Sequence, residues 1–217
     1  FFLLLFIVFF GILGSYSRIS NVGHNINSHT ALVNLAGSIQ VDGEVDAKFV
    51  NEAIRNAFNA PASVGVILRI NSPGGSPVQS ALIYDEIVRL RNSNPDKPLI
   101  AVVEDIAASG AYYVASAAEK IYVNKSGIVG SIGVLLNGFG FPDLLKKYGI
   151  ERRLLTAGEN KAMLDPFSEV NPEHAKATQE MLDEIHNNFI EAVRNERGDR
   201  LSSDPIIFSG MVFTGSK

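Results

Sequence analysis

Two apolar runs rich in β-branched residues, each leading into a glycine-containing turn and then a helix, constrain the fold of this chain most strongly. The runs occupy residues 64–70 and 99–103. Runs of this length and composition are typical of strands buried on both faces, as in a parallel sheet. Helical stretches follow them at residues 77–91 and around Tyr112 and Tyr113. Strands that alternate with helices in this way predict an α/β domain.

Further predicted elements extend this alternation along the chain. More strands are predicted at residues 31–35, 120–123, 132–135 and 152–156. Asp46 and Asn171 are predicted to cap two amphipathic helices, the second ending near Gly198, with a short helix between them at residues 141–148. The apolar face of the first helix comprises Phe49, Val50, Ala53, Ile54, Ala57 and Phe58, and that of the second comprises Met181, Leu182, Ile185, Phe189 and Val193.

The turns after the two apolar runs combine serine with glycine. One is Asn-Ser-Pro-Gly-Gly-Ser at residues 71–76, and the other is Asp-Ile-Ala-Ala-Ser-Gly at residues 105–110. A junction between strand and helix leaves unpaired amides that favour negative charge, and glycine lets the backbone approach a ligand closely. These turns predict Ser109 as a nucleophile, with the amides of Gly75 and Gly110 as its oxyanion hole. A Ser-Pro-Gly-Gly segment taken alone is more often only a tight turn.

A serine nucleophile needs a base, and histidine is not the favoured candidate here. The histidines are His24, His29, His174 and His186, and all four are interpreted as solvated. A lysine amine in water has a pKa of about 10.4, but burial in an apolar site can lower the pKa of such an amine by several units. A desolvated lysine beside a serine hydroxyl is a workable catalytic dyad. Lys161, in the segment Gly-Glu-Asn-Lys, is therefore the predicted general base.

From about residue 30 to residue 217 the chain resembles the signal peptide peptidase A family, membrane-bound serine peptidases with a Ser-Lys dyad. The matching stretches are residues 70–75, 105–113, 129–133, 158–161 and 165–167. The resemblance implies a crotonase/ClpP-like fold, Ser109 as nucleophile, Lys161 as general base and Ser131 as the residue that orients the lysine amine. Family members usually have a second glycine where this chain has Ala111, which could shift the next amide donor slightly.

The resemblance also implies a substrate, a location and an assembly. The substrates would be hydrophobic peptides, such as signal peptides left in the membrane after cleavage. The protein would be a single-pass protein of the bacterial inner membrane, with its catalytic domain on the periplasmic side. It would assemble into homo-oligomeric rings in which neighbouring subunits build the substrate grooves.

Three regions are predicted along the chain. Residues 1–14 are interpreted as part of a transmembrane anchor, because they are almost wholly apolar but too short to span a bilayer alone. A cleaved signal peptide is the alternative, with residues 11–15 as a weak cleavage site. Residues 15–30 are interpreted as a polar linker, and residues 31–217 as the peptidase domain. Both ends of the sequence are expected to be truncated.

Composition excludes some functions and leaves others without support. The chain contains no cysteine, which excludes disulfides and thiol catalysis, and its net charge of −4 gives no indication of nucleic-acid binding. No cofactor is expected, and no metal site, since Asp165 is a single carboxylate without matched ligands. Asp105 is expected to serve the turn before Ser109. Arg152 and Arg153 are interpreted as a solvated face or a subunit contact.

Two alternative functions remain open from the sequence. A crotonase-type acyl-CoA enzyme would share the fold and the oxyanion hole, but it would use carboxylates as acid and base. A non-catalytic membrane scaffold would not need Ser109, Ser131 and Lys161 together. The presence of all three residues favours the peptidase.

Overall fold

The computed structural model describes residues 27–217 and contains a mostly parallel six-stranded sheet. The strands are β1 His29–Ala36, β2 Ser63–Ser72, β3 Leu99–Ala108, β4 Lys120–Val123, β5 Ile128–Gly130 and β6 Val212–Thr214. Their order is β1-β2-β3-β5-β6, with β4 pairing with the first half of β3 and β5 with its last residues. All of these pairs are parallel except β5 with β6, which is antiparallel.

Five α-helices connect and cover the strands within the described residues. They are α1 Ala47–Asn59, α2 Pro77–Ser93, α3 Gly110–Ser116, α4 Pro142–Lys147 and α5 Pro172–Arg197. The predicted caps are confirmed, because the Asp46 carboxylate accepts the Lys48 amide at 2.8 Å and the Asn171 side chain accepts the Glu173 amide at 2.8 Å. Each cap satisfies a backbone donor that the first helical turn leaves unpaired.

A main core and a smaller cluster hold these elements together. The main core packs α1, α2 and α3 against the central strands through side chains such as Ile54, Leu68, Ile87, Leu99 and Val114, which are fully buried. The smaller cluster joins Ile132, which follows β5, to Phe189 and Val193 of α5. The long helix is therefore attached to the loop that leaves the end of the sheet.

The structure confirms the α/β class and corrects several boundaries. The strand β3 continues to Ala108, so Asp105 lies within the strand, where its carboxylate accepts a long hydrogen bond from Asn71 at 3.4 Å. The strand β1 begins at His29, inside the predicted linker. Phe49 is exposed rather than part of the buried face of α1, because α1 packs through Val50, Ile54 and its neighbours.

Two predicted strands are absent from the described chain. Residues 132–135 leave the sheet, because Ser131 has a left-handed backbone (φ 54°) and Ile132 turns into the cluster with α5. Residues 152–156 are exposed, and they pair with no strand of the described chain. They belong to a projecting segment, residues 135–170, which we call the arm and in which no residue is buried.

The predicted anchor, residues 1–14, and most of the predicted linker lie outside the described residues. Between residues 27 and 217, no helix is both long enough and apolar enough to cross a membrane.

Candidate active site

Ser109 lies at the tight turn between β3 and α3. Its backbone angles are φ 52° and ψ −126°, a conformation that costs a non-glycine residue on the order of 1–3 kcal/mol. Such a turn is typical of serines that must project a hydroxyl from the end of a parallel sheet. The Ser109 amide donates to the carbonyl oxygen of Gly130 at 2.9 Å, and its own carbonyl accepts the amide of Tyr113 at 3.0 Å. The half-buried serine is thus held by its backbone on both sides.

The turn that contains Gly74 and Gly75 packs directly against the Ser109 turn. A Cβ atom placed on Gly74 would lie 2.7 Å from the amide nitrogen of Gly110, and one on Gly110 would lie 3.3 Å from the amide nitrogen of Gly75. Ile39 holds the outer side of the turn, since its amide donates to Gly74 at 2.9 Å and its carbonyl accepts from Ser76 at 2.8 Å. Only glycine permits so close an approach between the two turns.

The amides of Gly75 and Gly110 are unpaired within the described chain. Neither donates a hydrogen bond to any residue from Asn27 onward. Both glycines line the same cavity as Ser109. Two such amides beside a serine can donate hydrogen bonds to a developing oxyanion, so the structure brings together the three groups predicted for acyl transfer.

The cavity beside Ser109 is apolar and has a volume of about 310 Å³. Its walls come from α2, α3, α5 and the loop after β5, through Val78, Ala81, Tyr113, Val134, Ile185 and Phe189. The Tyr113 ring packs between Tyr84 and Phe189, with ring centroids 5.1 and 4.7 Å away. Ala111, which stands where a second glycine was expected, is fully buried in the core behind this wall.

A second cavity of about 390 Å³ adjoins the first and is lined by both Ser109 and Ser131. Ser131 has φ 54°, and its amide donates to the carbonyl oxygen of Met211 at 2.8 Å. The structure therefore brings Ser131 to the predicted nucleophile. Neither cavity that Ser109 lines includes an aspartate or glutamate among its described lining residues.

Lys161 lies apart from this serine pair. It is exposed on the arm, and it lines neither cavity that Ser109 lines. Within the single described chain, the predicted base is therefore not assembled with the predicted nucleophile.

The arm around Lys161 is nevertheless ordered by specific contacts. Arg152 pairs with Asp165 at 2.6 Å, and the Ser168 hydroxyl donates to the same carboxylate at 2.5 Å. Hydrogen bonds from Ser168 and from the Phe167 amide, together with the charge of Arg152, hold the pKa of Asp165 below its usual value. Asp165 therefore organises the loop behind Lys161, and Arg152 is an internal ion-pair partner rather than a solvated residue.

Sequence reasoning missed a histidine that contacts the segment after β5. His186 is half-buried, and its Nε2 lies 3.0 Å from the carbonyl oxygen of Ile132, so the prediction that it is solvated is wrong. The sequence does contain a signal for this position. His186 follows Leu182 by four residues and precedes Phe189 by three, so helical spacing places His186 beside the apolar face of α5.

Comparisons with known proteins agree with this geometry. An α/β domain that presents a serine on a strained turn between free amides defines a hydrolase-like class of protein. The model of peptidase family S49 matches residues 91–217, a region that includes Ser109, Ser131 and Lys161. The chain belongs to peptidase family S49, the serine peptidase family of the signal peptide peptidases.

Individual relatives cover most of this chain but only part of their own length. A protein of Enterococcus faecium named putative signal peptide peptidase SppA is 29% identical over 70% of this chain and 44% of its own. Protease 4 of Haemophilus influenzae is 30% identical over 89% of this chain and 32% of its own. A Brucella melitensis protein named Na(+)/H(+) antiporter NhaA is 45% identical over 75% of this chain, but the match covers only 22% of that protein. Its name therefore carries no argument here.

Proposed function

We propose that this chain is the catalytic part of a serine endopeptidase in which Ser109 attacks the scissile carbonyl. The observation that carries the proposal is the position of Ser109 on a strained turn at an apolar cavity, beside the amides of Gly75 and Gly110, which donate to no described residue. In the tetrahedral intermediate the two amides would donate to the oxyanion. Because these donors are fixed by backbone packing, they need no rearrangement during the reaction.

Lys161 is the proposed general base, supplied by a neighbouring subunit of a homo-oligomer. Its exposed position on the arm supports this arrangement, and so does the apolar surface that the arm presents to solvent. Leu155 is 97% exposed and Phe139 is 82% exposed, which is costly for large apolar side chains unless another surface covers them. Docking of the arm on a second copy would bury this surface and desolvate the lysine. Ser131 would then hydrogen-bond the neutral amine and orient it.

Hydrophobic peptides are the proposed substrates, in particular signal peptides left in a membrane after cleavage. The apolar walls of the cavity beside Ser109 suit an apolar side chain. The similarity to a putative signal peptide peptidase favours the same substrate class. We further propose that residues 1–14 belong to an anchor in the bacterial inner membrane, with the peptidase domain on the periplasmic side.

The alternative acyl-CoA chemistry finds less support. A crotonase-type enzyme would need a carboxylate near the oxyanion hole, and the described lining of the two Ser109 cavities offers none. A scaffold would have no use for a strained serine between free amides.

Labelling with a fluorophosphonate and hydrolysis of a synthetic signal peptide test the proposal together. Wild-type protein should be labelled at Ser109 and should cleave the peptide, whereas Ser109→Ala should do neither while remaining folded. Ser93→Ala is the matched control, because Ser93 is exposed near the far end of α2. Undiminished cleavage by Ser109→Ala would remove Ser109 as the nucleophile.

A further inference from the structure

Three consecutive residues at the end of β5, Gly130 to Ile132, are each held by a different part of the fold. The carbonyl oxygen of Gly130 accepts the Ser109 amide at 2.9 Å, and the Ser131 amide donates to Met211 at 2.8 Å. The carbonyl oxygen of Ile132 accepts from His186 Nε2 at 3.0 Å. The first contact ties the segment to the nucleophile turn, the second to the approach to β6, and the third to α5.

The contact with His186 is the only one of the three that depends on a side chain. The other two are backbone hydrogen bonds, which survive most substitutions. Ile132 is 3% exposed and packs against Phe189 and Val193 of the same helix, so water has little access to replace a lost donor. Both the imidazolium and the neutral tautomer protonated at Nε2 can donate this bond.

The strained backbone of Ser131 gives this contact its importance. A serine at φ 54° persists only where the surrounding structure holds it. The peptide group before Ser131 is fixed by the bonds to Ser109 and Met211, and the carbonyl of Ile132, one residue further along, is fixed by His186. Without the bond to Ile132, the segment can relax toward an ordinary backbone conformation. The Ser131 hydroxyl would then leave its place in the cavity that it shares with Ser109.

We propose that His186 is a positioning residue, which holds Ser131 in its working conformation by donating a hydrogen bond from Nε2 to the carbonyl oxygen of Ile132. It touches neither the reacting atoms nor the substrate. The inference rests on the proposed function, because it takes Ser131 to be part of the peptidase site. The proposal adds to the peptidase site a histidine of α5, which is separate from the Ser-Lys pair.

The test compares His186→Leu with His186→Gln in the full chain. Leucine keeps the apolar packing but removes the donor, whereas the glutamine amide has the same number of bonds from Cα to Nε2 and can still donate. Asn187→Leu is the matched control, because Asn187 is the exposed neighbour on the same helix. Three quantities are measured. They are kcat and KM for a peptide whose cleavage requires Ser109, and the rate of hydrogen exchange in the segment of residues 128–134.

We expect His186→Leu to lower kcat by about ten- to a hundredfold with little change in KM, since a displaced catalytic group slows the chemical step more than binding. Exchange in residues 128–134 should become faster in the same variant. His186→Gln should recover most of the rate and the protection, and Asn187→Leu should match the wild type. If His186→Leu does not fold, His186→Asn, whose amide is one bond shorter, replaces it.

Wild-type kcat together with unchanged exchange in the leucine variant would overturn the proposal, as would a folded glutamine variant as impaired as the leucine one. If the wild type cleaves no peptide, the proposed function fails instead. The exchange measurement still decides whether His186 holds the segment, because it needs no substrate.

Discussion

The backbone amide of Ser109 donates a hydrogen bond to the carbonyl oxygen of Gly130, at 2.9 Å. This bond continues the parallel pairing of β3 with β5 by one residue beyond the end of β3. It places Ser131 directly after the residue that holds the predicted nucleophile. A backbone hydrogen bond thus brings together two serines that are separated by about twenty residues in the sequence.

Replacing Gly74 should disable the site by pushing its two turns apart. In Gly74→Ala the new Cβ would lie 2.6 Å from the carbonyl oxygen of Ala108 and 2.7 Å from the amide nitrogen of Gly110. We expect kcat to fall by about a hundredfold or more, together with a lower unfolding temperature.

Gly198→Ala is the control for this prediction. Gly198 also has positive φ (48°), but no atom lies within 4 Å of an added Cβ. This variant should lose on the order of 1 kcal/mol of stability and keep its activity. Equal loss of activity in both variants would mean that backbone strain, rather than crowding of the Ser109 turn, causes the effect.

Lys161→Arg should be as inactive as Lys161→Ala in the peptide assay. Arginine keeps the positive charge and most of the length of the side chain, but it stays protonated and cannot accept the serine proton. Lys147, exposed on α4 of the same arm, provides the matched control through Lys147→Arg. An arginine variant at position 161 with more than a few per cent of the wild-type rate would exclude Lys161 as the base.

Mixing two inactive variants tests whether neighbouring subunits share a site. If Lys161 acts on Ser109 of a second copy, hetero-oligomers of Ser109→Ala with Lys161→Ala contain some sites with both residues intact. Activity should appear after the two proteins are unfolded and refolded together, and each variant refolded alone should stay inactive. Failure of the mixture to gain activity, with mixed oligomers shown to form, would contradict a base supplied by the neighbour.

Ser131→Ala should slow peptide cleavage without abolishing it. The change removes a hydrogen bond that orients the base, but it leaves the reacting groups in place. We expect the activation free energy to rise by about 1–3 kcal/mol. The measurement is kcat at saturating peptide, with Ser126→Ala as the control, because Ser126 is exposed in the turn before β5. A rate equal to that of the wild type would remove Ser131 from the mechanism.

An ion-pair cluster between α1 and α2 should make stability depend on pH. Hydrogen bonds from Arg89 and then from Arg55 hold the pKa of the Glu86 carboxyl below its usual value, against the opposing effect of burial. A lowered folded-state pKa means that the stabilisation is fully present above the ordinary glutamate range. It is lost as the pH falls through the lower folded-state value. Unfolding by urea between pH 7 and pH 3 should show this loss.

Glu86→Gln should remove most of the pH dependence of stability that the Glu86 carboxyl causes. It should also lower the free energy of unfolding at pH 7 by roughly 1–3 kcal/mol. Glu52→Gln is the control, because Glu52 is exposed on α1. An identical pH profile for Glu86→Gln and the wild type would show that the cluster contributes nothing to stability.

The elements that the sequence predicted best are those whose signals are local. The strands β2 and β3 combine β-branched runs with glycine turns, and Asp46 and Asn171 cap their helices through atoms two residues away. The two turns that contain serine and glycine were also recognisable from local sequence, and they meet because β2 and β3 pair in parallel. The prediction of a strand at residues 132–135 is wrong because an apolar β-branched segment suits a strand or a contact with a helix equally well. Only tertiary structure decides between the two.

The remaining features depend on contacts that span large sequence separations. The acceptor of His186 lies 54 residues away, so no local pattern specifies it. Residues 152–156 carry the composition of a strand, yet nothing in the described chain pairs with them. The position of Lys161 likewise depends on what the arm contacts.

The antiparallel pairing of β5 with β6 has a consequence for how the protein is made. Val212 pairs with Gly130, and Met211 accepts the amide of Ser131, so the segment beside the nucleophile is completed by residues synthesised about eighty positions later. The sheet around Ser109 can form while the ribosome is still translating α5. The hydrogen bond from the Ser131 amide to Met211 cannot form until the residues just before β6 have been added. A nascent chain therefore contains both serines before the contact that holds Ser131 can form.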